Sequence, residues 1–459
     1  MFTDRSSLIA SNPPGMYYGV SAVDLDGDGH CEFFVCGHNG PNRVLKWTGK
    51  SLRDIAPPVL ADPTRQAIGV AAADVDGDGR EELYVLNTDT FAGPKQHADR
   101  LFDARPDGSW IDLFQISQNK AVRNLIAGRS VAAIDRRGTG RYGFFVASYG
   151  RPMRYYEADP EGKLVDLAPS LDLNITTGGR GLWAGPLLSP RMDLFCVNEH
   201  GENFLFVNDG DGHFTEVAAI CGLHDPEEHG RGVVALDAND DGRLDLCWGN
   251  WEGPNRLMIR QPDNSFRDQA TPAIAFPGQI RTVIVADFDN DGYEELFFHC
   301  IGEPNRLFAR AEADRNHWIL KELGPALEPE GCGTGAAVAD IDGDGRLELL
   351  LAHGESHAQP LSLYSGPVND HDWIRIQPLT QYGAPARGAL VRLRANGRTQ
   401  LRVIDAGSGY LCQMEPVAHF GLGRHANVES ATITWPDGSS LTVKDFRPRT
   451  TVVIAYPTV

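Results

Sequence analysis

The chain has 459 residues, enough for two or three ordinary domains or for one large repeat domain with an appendage. Asp plus Glu outnumber Lys plus Arg by 62 to 42, a formal charge of -20, which argues against nucleic acid or anionic membranes as main partners and makes cations the natural counterpart. No apolar run approaches the roughly eighteen residues of a membrane helix, and the opening "MFTDRSSLIAS" lacks the basic start and apolar stretch of an export signal.

From Asp24 the chain reads "DLDGDGHCEF", and the pattern returns as "DVDGDGREEL" from Asp74, "DANDDGRLDL" from Asp237, "DFDNDGYEEL" from Asp287 and "DIDGDGRLEL" from Asp340. Two degenerate copies fill the gap: "DRRGTGRYGF" from Asp135, and "GPLLSPRMDLF" from Gly185, in which only Asp193 survives at the last acidic position. The starts at 24, 74, 135, 185, 237, 287 and 340 lie 50, 61, 50, 52, 50 and 53 residues apart, a period that belongs to propellers or solenoids.

Each unit opens on a short apolar run ("GVSAV", "GVVAL"), passes the acidic loop and resumes as "EFFVCG" or "DLCWGN". A third run carries an arginine nineteen residues after the unit start (Arg43, Arg154, Arg256, Arg306), and a fourth reads [L/F]-x-[D/E]. These runs are β-branched, aromatic and too short for helices. Four strands in each of seven units predict an all-β chain, a seven-bladed β-propeller over residues 1–370, with a small antiparallel β domain over 371–459. "FTDRS" before the first unit and "HDWIRIQPL" from His371 compete to supply the outer strand of the last blade. The eight cysteines (31, 36, 196, 221, 247, 300, 332, 412) show no CxxC spacing; most sit in apolar strand-like runs and read as buried free thiols, which favours a reducing compartment.

Five loops place acidic or amide oxygens at positions 1, 3, 5 and 9. The sets are Asp24, Asp26, Asp28 and Glu32; Asp74, Asp76, Asp78 and Glu82; Asp237, Asn239, Asp241 and Asp245; Asp287, Asp289, Asp291 and Glu295; Asp340, Asp342, Asp344 and Glu348. The backbone carbonyl at position 7 (His30, Arg80, Arg243, Tyr293, Arg346) offers a further ligand, and glycine at position 6 permits the reversal. All-oxygen cages suit calcium, whereas zinc would want nitrogen or sulfur. An EF-hand needs glutamate at position 12, where these loops have Val35, Val85, Trp248, Phe298 and Leu351. About five calcium ions, one per intact loop, are expected; in the two degenerate units Arg137 and Arg191 are expected as fixed cations replacing the metal.

These motifs resemble the FG-GAP and VCBS repeat family, whose propeller repeats integrin α chains also carry. "GALVRLRANGRTQLRVIDAGSGYLCQMEPVAHFGLG" followed by "VESATITWPDG" resembles the ASPIC/UnbV domain that follows such repeats in cartilage acidic protein-like chains. The resemblance implies an exported, calcium-binding propeller engaged in adhesion or protein contacts rather than catalysis. No export signal is visible, so the expectation is either an extracellular or periplasmic chain that starts after a removed signal, or a cytoplasmic one if Met1 is the true start.

Loops joining the second and third strands are expected on the face opposite the acidic loops, with His38, Asn39, His200, Trp251, Glu252, Glu303, His353, Glu355 and His357 along a rim. Six residues before the unit start stand Arg129, Arg231 and Arg281, with Arg180 at nearly the same place, so four consecutive blades are expected to aim a guanidinium near the channel mouth, where carboxylate, sulfate or phosphate would bind. Trp251 and His353 complete the candidate ligand site. No G-x-S-x-G, P-loop, HExxH or dinucleotide fingerprint is present. The leading expectation is a calcium-stabilised binding or scaffold protein whose partner is another protein or a glycan. The alternatives are a carbohydrate-active lyase or hydrolase at the channel mouth, and a homo-oligomer assembled through the carboxyl-terminal domain.

Overall fold

A computed structural model describes residues 1–424 and 426–457. The chain is an all-β protein built around a β-propeller. Its apolar runs become the inner strands Tyr17–Val23, Ala67–Ala73, Gly128–Ile134, Thr176–Gly185, Gly230–Leu236, Ile280–Ala286 and Gly333–Ala339, taken below as the starts of blades one to seven. In blade one the sheet continues through Glu32–Gly37, Arg43–Trp47 and Leu52–Asp54, each strand antiparallel to the one before. The other blades repeat this order, giving seven four-stranded units by pairing, with the outer part of blade three's second strand also paired to blade four. Neighbouring inner strands touch in sequence, and Tyr17–Val23 touches Gly333–Ala339, so the ring is closed.

Closure is made by the amino terminus. Thr3 and Asp4 pair with Ser365 and Tyr364 of blade seven, while the competing segment Asp372–Pro378 goes elsewhere. The inner strands are buried on both faces, because each blade packs on two others, which is why they read as continuous apolar runs instead of alternating ones. The third-strand arginines latch blades internally: Arg43 meets Asp54, Arg154 meets Asp166 and Arg256 meets Asp268 on the fourth strands. All eight cysteines are free, and all but Cys31 are buried.

Beyond the ring, Ala418–Gly423, Asp372–Pro378 and Thr450–Ile454 form one sheet; Arg398–Val403, Leu390–Ala395, Val428–Thr434 and Ser440–Val443 form another. Ile374, Val391, Phe420 and Ile433 share the core between them. This unit departs from the antiparallel expectation in one pair, Asp372–Pro378 with Thr450–Ile454, which is parallel.

The segment joining the two sheets is not a surface loop. Residues 405–415 enter the central channel and bond to its inner strands. Gly409 exchanges both backbone hydrogen bonds with Val233, Ala133 N–H donates to the Ala406 carbonyl at 2.7 Å, and Tyr410 N–H donates to Thr282 Oγ1 at 2.8 Å. The fully buried Gln413 is held at both ends: its N–H donates to the Val20 carbonyl, and its side-chain oxygen accepts from Ala72 N–H at 2.8 Å and Ser21 Oγ at 3.0 Å. The channel admits this plug because inner strands carry glycine where it passes; a Cβ on Gly19 would lie 2.4 Å from the Leu411 carbonyl oxygen, and one on Gly335 2.8 Å from Cys412 Sγ. Among the described residues no helix is long and apolar enough to cross a membrane.

Candidate functional site

The acidic loops leave the inner strands on the face that the carboxyl-terminal sheets cover. In each intact loop the position 1 carboxylate accepts backbone N–H groups from within its own turn, such as Gly27 and Gly29 on Asp24, or Gly77 and Gly79 on Asp74. The position 9 carboxylate accepts from the N–H at position 2, as Glu82 does from Val75 at 2.6 Å and Asp245 from Ala238 at 2.8 Å. These bonds pin the turn and leave the other oxygens converging. Oxygens of Asp24, Asp26 and Glu32 lie within 4.8 Å of one another, as do those of Asp74, Asp76 and Asp78, of Asp287, Asp289 and Asp291, and of Asp340, Asp342 and Asp344.

Burial raises the proton affinity of these groups. Desolvation, against the pull of backbone donors, carries Glu32 and Asp245 to about 7 and Asp74 and Asp340 to about 6; for Glu348, desolvation and the charges of Asp342 and Asp340 reach about 9. Asp287 and Glu295 rise well above the carboxylate range for the same reasons. Among the described residues Asp287 Oδ1 and Asp340 Oδ1 are buried with no hydrogen-bond partner, a state that costs free energy unless a cation or a proton sits there. An all-oxygen, desolvated cage with orphaned carboxylate atoms fits a hard divalent ion.

The loops are not equivalent. In the first, Lys46 Nζ contacts Asp26 at 2.5 Å, Asp28 at 2.7 Å and Glu32 at 3.1 Å, so an ammonium stands among its ligands. In the loop of blade five, Asn239 Nδ2 donates to Asp241 at 3.0 Å and Arg243 pairs with the same carboxylate at 2.5 Å. At position 7 Arg80 and Arg346 also fold back on position 5, on Asp78 and Asp344, while Tyr293 lies under Arg398, 3.5 Å from its ring centre. The degenerate loops do not hold the fixed cations expected of them. Arg191 donates to the Pro436 carbonyl at 2.9 Å and Arg137 makes no ion pair among the described residues, because Asp135 is satisfied by the N–H groups of Thr139 and Gly140, and Asp193 by Ser189 and Asn208.

Other carboxylates of this face are anchors. Glu81, at position 8, takes a two-pronged bond from the fully buried Arg387 at 2.5 and 3.2 Å; Glu294 meets Arg402 at 3.1 Å, and Asp240 meets Arg398 at 2.8 Å. Arg375 lies 3.2 Å from Asp340 and also pairs with Glu415 of the plug.

At the opposite end of the channel the inner strands begin with β-bulges. The register slips between Gly128 and Ser130, Gly179 and Leu182, Gly230 and Val233, and Ile280 and Thr282. A bulge turns its residue out of the pleat, and the residues in these four slips include Arg129, Arg180, Arg231 and Arg281, all of which line a cavity of about 740 Å³ at the mouth. Tyr410, at the tip of the plug, forms its floor and accepts from Arg180 at 3.0 Å. Trp251 lies between Arg231 and Arg281 (5.2 and 5.3 Å), and Tyr149 between Arg129 and Arg180 (5.2 and 4.8 Å). Glu199 pairs with Arg231 at 2.6 Å and with Arg180; Glu355 pairs with Arg281 at 2.8 Å. Against the burial that would raise it, Arg180 and Arg231 hold Glu199 at about 2, while burial and Arg180 bring Arg231 down to about 10.

Of the rim residues, His38, Trp251 and Glu355 reach this cavity. His353 does not: its ring is buried between the Pro360 carbonyl at 2.9 Å and Glu328 at 3.0 Å, a structural role inside blade seven. Glu199, Tyr149, Phe91 and Tyr410 are mouth residues that the repeat pattern does not single out; only the position of Glu199 in the loop "NEHGENF" hinted at it.

The family model described as ASPIC and UnbV matches residues 380–459, and that of the FG-GAP-like repeat matches 4–85, 190–248 and 237–298. Cartilage acidic protein 1 of Homo sapiens is 45% identical, over 97% of this chain and 73% of that protein. The chain belongs to the cartilage acidic protein 1 family. The Xenopus tropicalis and Mus musculus members are each 45% identical over 97% of this chain and 75% of their own length. In this member of the family the repeat matches contain the intact loops from Asp24, Asp74, Asp237 and Asp287. A lectin, BP39L from Burkholderia pseudomallei, shares the fold with a TM-score of 0.51 at 14% identity, over 77% of this chain and 99% of that one.

Proposed function

We propose that this family member is a calcium-binding β-propeller that acts as a non-catalytic binding, adhesion or scaffold protein. The observation that carries the reading is the pair of buried, partnerless carboxylate oxygens, Asp287 Oδ1 and Asp340 Oδ1, each inside a triad of converging acids. The residues that would hold the ions are those at positions 1, 3, 5 and 9, with the position 7 carbonyl. Calcium there supplies positive charge to a face that otherwise repels itself.

This chain's own residues do the rest. The position 9 carboxylates fix the turns, Glu81, Glu294 and Asp240 seat arginines of the carboxyl-terminal sheets, and the plug fills the channel. The sites that begin at Asp287 and Asp340 are the strongest in this reading, since each keeps a buried oxygen with no partner among the described residues; the one at Asp24 competes with Lys46, and the one at Asp237 has one carboxylate fewer. The partner is another protein or a glycan. A lyase or hydrolase at the mouth is the weaker reading, because both mouth glutamates are tied to arginines and Glu199, at about 2, is far from the range of a general acid or base at neutral pH.

Elemental analysis of protein equilibrated with calcium, and melting temperature with and without a chelator, test it. Bound calcium and a fall on chelation are expected, each ion contributing about 2.7 kcal/mol at a hundredfold excess over its dissociation constant. No bound calcium and an unchanged melting temperature would refute it.

A further inference from the structure

The mouth of the channel is built as a receptor for a negative charge. Four arginines surround it in a chain of formal charge -20, and each is at least nine-tenths buried. Burying a guanidinium is costly unless its charge and donors are met. Here they are met in part. Glu199 serves Arg180 and Arg231, and Glu355 serves Arg281, but Arg129 has no carboxylate partner among the described residues and donates only to the carbonyls of Gly128 and Phe91. The Nε atoms of Arg231 and Arg281 are buried without any partner among the described residues. With Asp89 counted, the four arginines of the cavity face three carboxylates, and Asp89 is itself occupied by the N–H groups of Gln96 and His97. One positive charge and the Nε donors of two guanidinium groups are left over.

The walls say what the charge is attached to. Tyr18, Trp251 and Phe91 present ring faces or edges beside polar groups of His38, Gln66 and Gln279, the mixture that meets a sugar ring with its apolar face and hydroxyl edge. Phe91 is 65% exposed although it stacks with Arg129, so a large apolar ring is offered to solvent at the rim. The volume of about 740 Å³ lies in the range of small-molecule pockets and leaves room for a sugar ring.

The geometry points to a binding site for an acidic sugar, a uronate whose carboxylate is received among Arg129, Arg231 and Arg281, which line the cavity, while its ring lies against Phe91. The site is made by the bulges of blades three to six and by Tyr410 of the plug, at the end of the channel away from the acidic loops, and it stands whether or not those loops hold calcium.

Isothermal titration of the full chain with D-glucuronate, D-glucose and sodium acetate tests it, with D-galacturonate as a second acidic probe. Glucuronate or galacturonate binding about tenfold or more tighter than both glucose and acetate is expected, since the carboxylate adds a charge-assisted contact that glucose lacks and the ring adds apolar burial that acetate lacks. Arg129→Met should weaken uronate binding by about tenfold or more. Phe91→Ala, at a position 65% exposed, should weaken the uronates and leave acetate unchanged. Acetate binding as tightly as glucuronate would overturn the sugar assignment, and absence of uronate binding by the folded wild-type chain would overturn the site.

Discussion

Gln413 gives the sharpest test of the plugged channel. It is fully buried, and its side chain bonds to Ala72 N–H at 2.8 Å, to the Ala72 carbonyl at 3.0 Å and to Ser21 Oγ at 3.0 Å. Ala72 lies in the inner strand of blade two, where its two backbone groups face the channel instead of a neighbouring strand. Gln413→Leu keeps the size and removes the amide. It leaves the Ala72 N–H and carbonyl without partners in a site closed to water, each costing about 1–3 kcal/mol, so the loss is roughly 2–6 kcal/mol; the Ser21 hydroxyl can turn and adds less. Urea unfolding of the wild-type and variant chains in the same calcium-containing buffer measures the difference. A loss below about 1 kcal/mol would mean that residues 405–415 do not fill the channel in solution, because an amide exposed to water is cheap to remove.

Three further outcomes are expected. Arg387→Met breaks the buried pair with Glu81 and should cost about 3–5 kcal/mol in urea unfolding, with Glu81→Leu added on top restoring part of it; no recovery in the double variant would show that Arg387 acts through its bonds to the Asp405 and Met414 carbonyls instead. Gly345→Ala should lower stability by about 2–5 kcal/mol, since φ is +82° and the new Cβ would meet Trp373 at 1.8 Å, whereas Gly383→Ala, at φ +94° with open space around it, should cost only the strain of about 1–2 kcal/mol; equal costs would refute the docking of Trp373. Glu199, brought down from 4.5 to about 2, stabilises the fold above its unfolded value by roughly 3 kcal/mol, and that stability is lost as pH falls from about 4.5 towards 2. The unfolding free energy of Glu199→Gln should therefore depend less steeply on pH in that window than that of the wild-type chain, and identical slopes would refute the pairing with Arg180 and Arg231.

What the sequence determined by itself is local and repeated. The acidic positions 1, 3, 5 and 9, the glycine at 6 and the runs on either side are contained within one hairpin, so Asp24, Asp74, Asp237, Asp287 and Asp340 mark the blades without any knowledge of what surrounds them. The arginines six residues before the unit start were legible too, because each blade carries its own bulge at the same place. His353 was misplaced by the same logic: a loop shared by all blades predicts a rim, but Glu328 and the Pro360 carbonyl draw this ring inward.

Only the tertiary structure decided which acids are anchors, which basic groups stand against the loops, and what lies in the channel. Glu81 and Glu82 are adjacent and chemically alike, yet one is seated on Arg387, 306 residues away, and the other closes its own turn. Lys46 reaches the first loop from another strand of its blade, and "GSGYLCQ" reads as any glycine-broken loop until the inner strands, through Val20, Ala22, Val70 and Val233, offer it unpaired donors and acceptors. The physical reason is separation along the chain. A turn satisfies itself within about ten residues, whereas a buried charge or an inward-facing backbone group is satisfied by whatever the closed ring brings to it, and no local pattern records that partner.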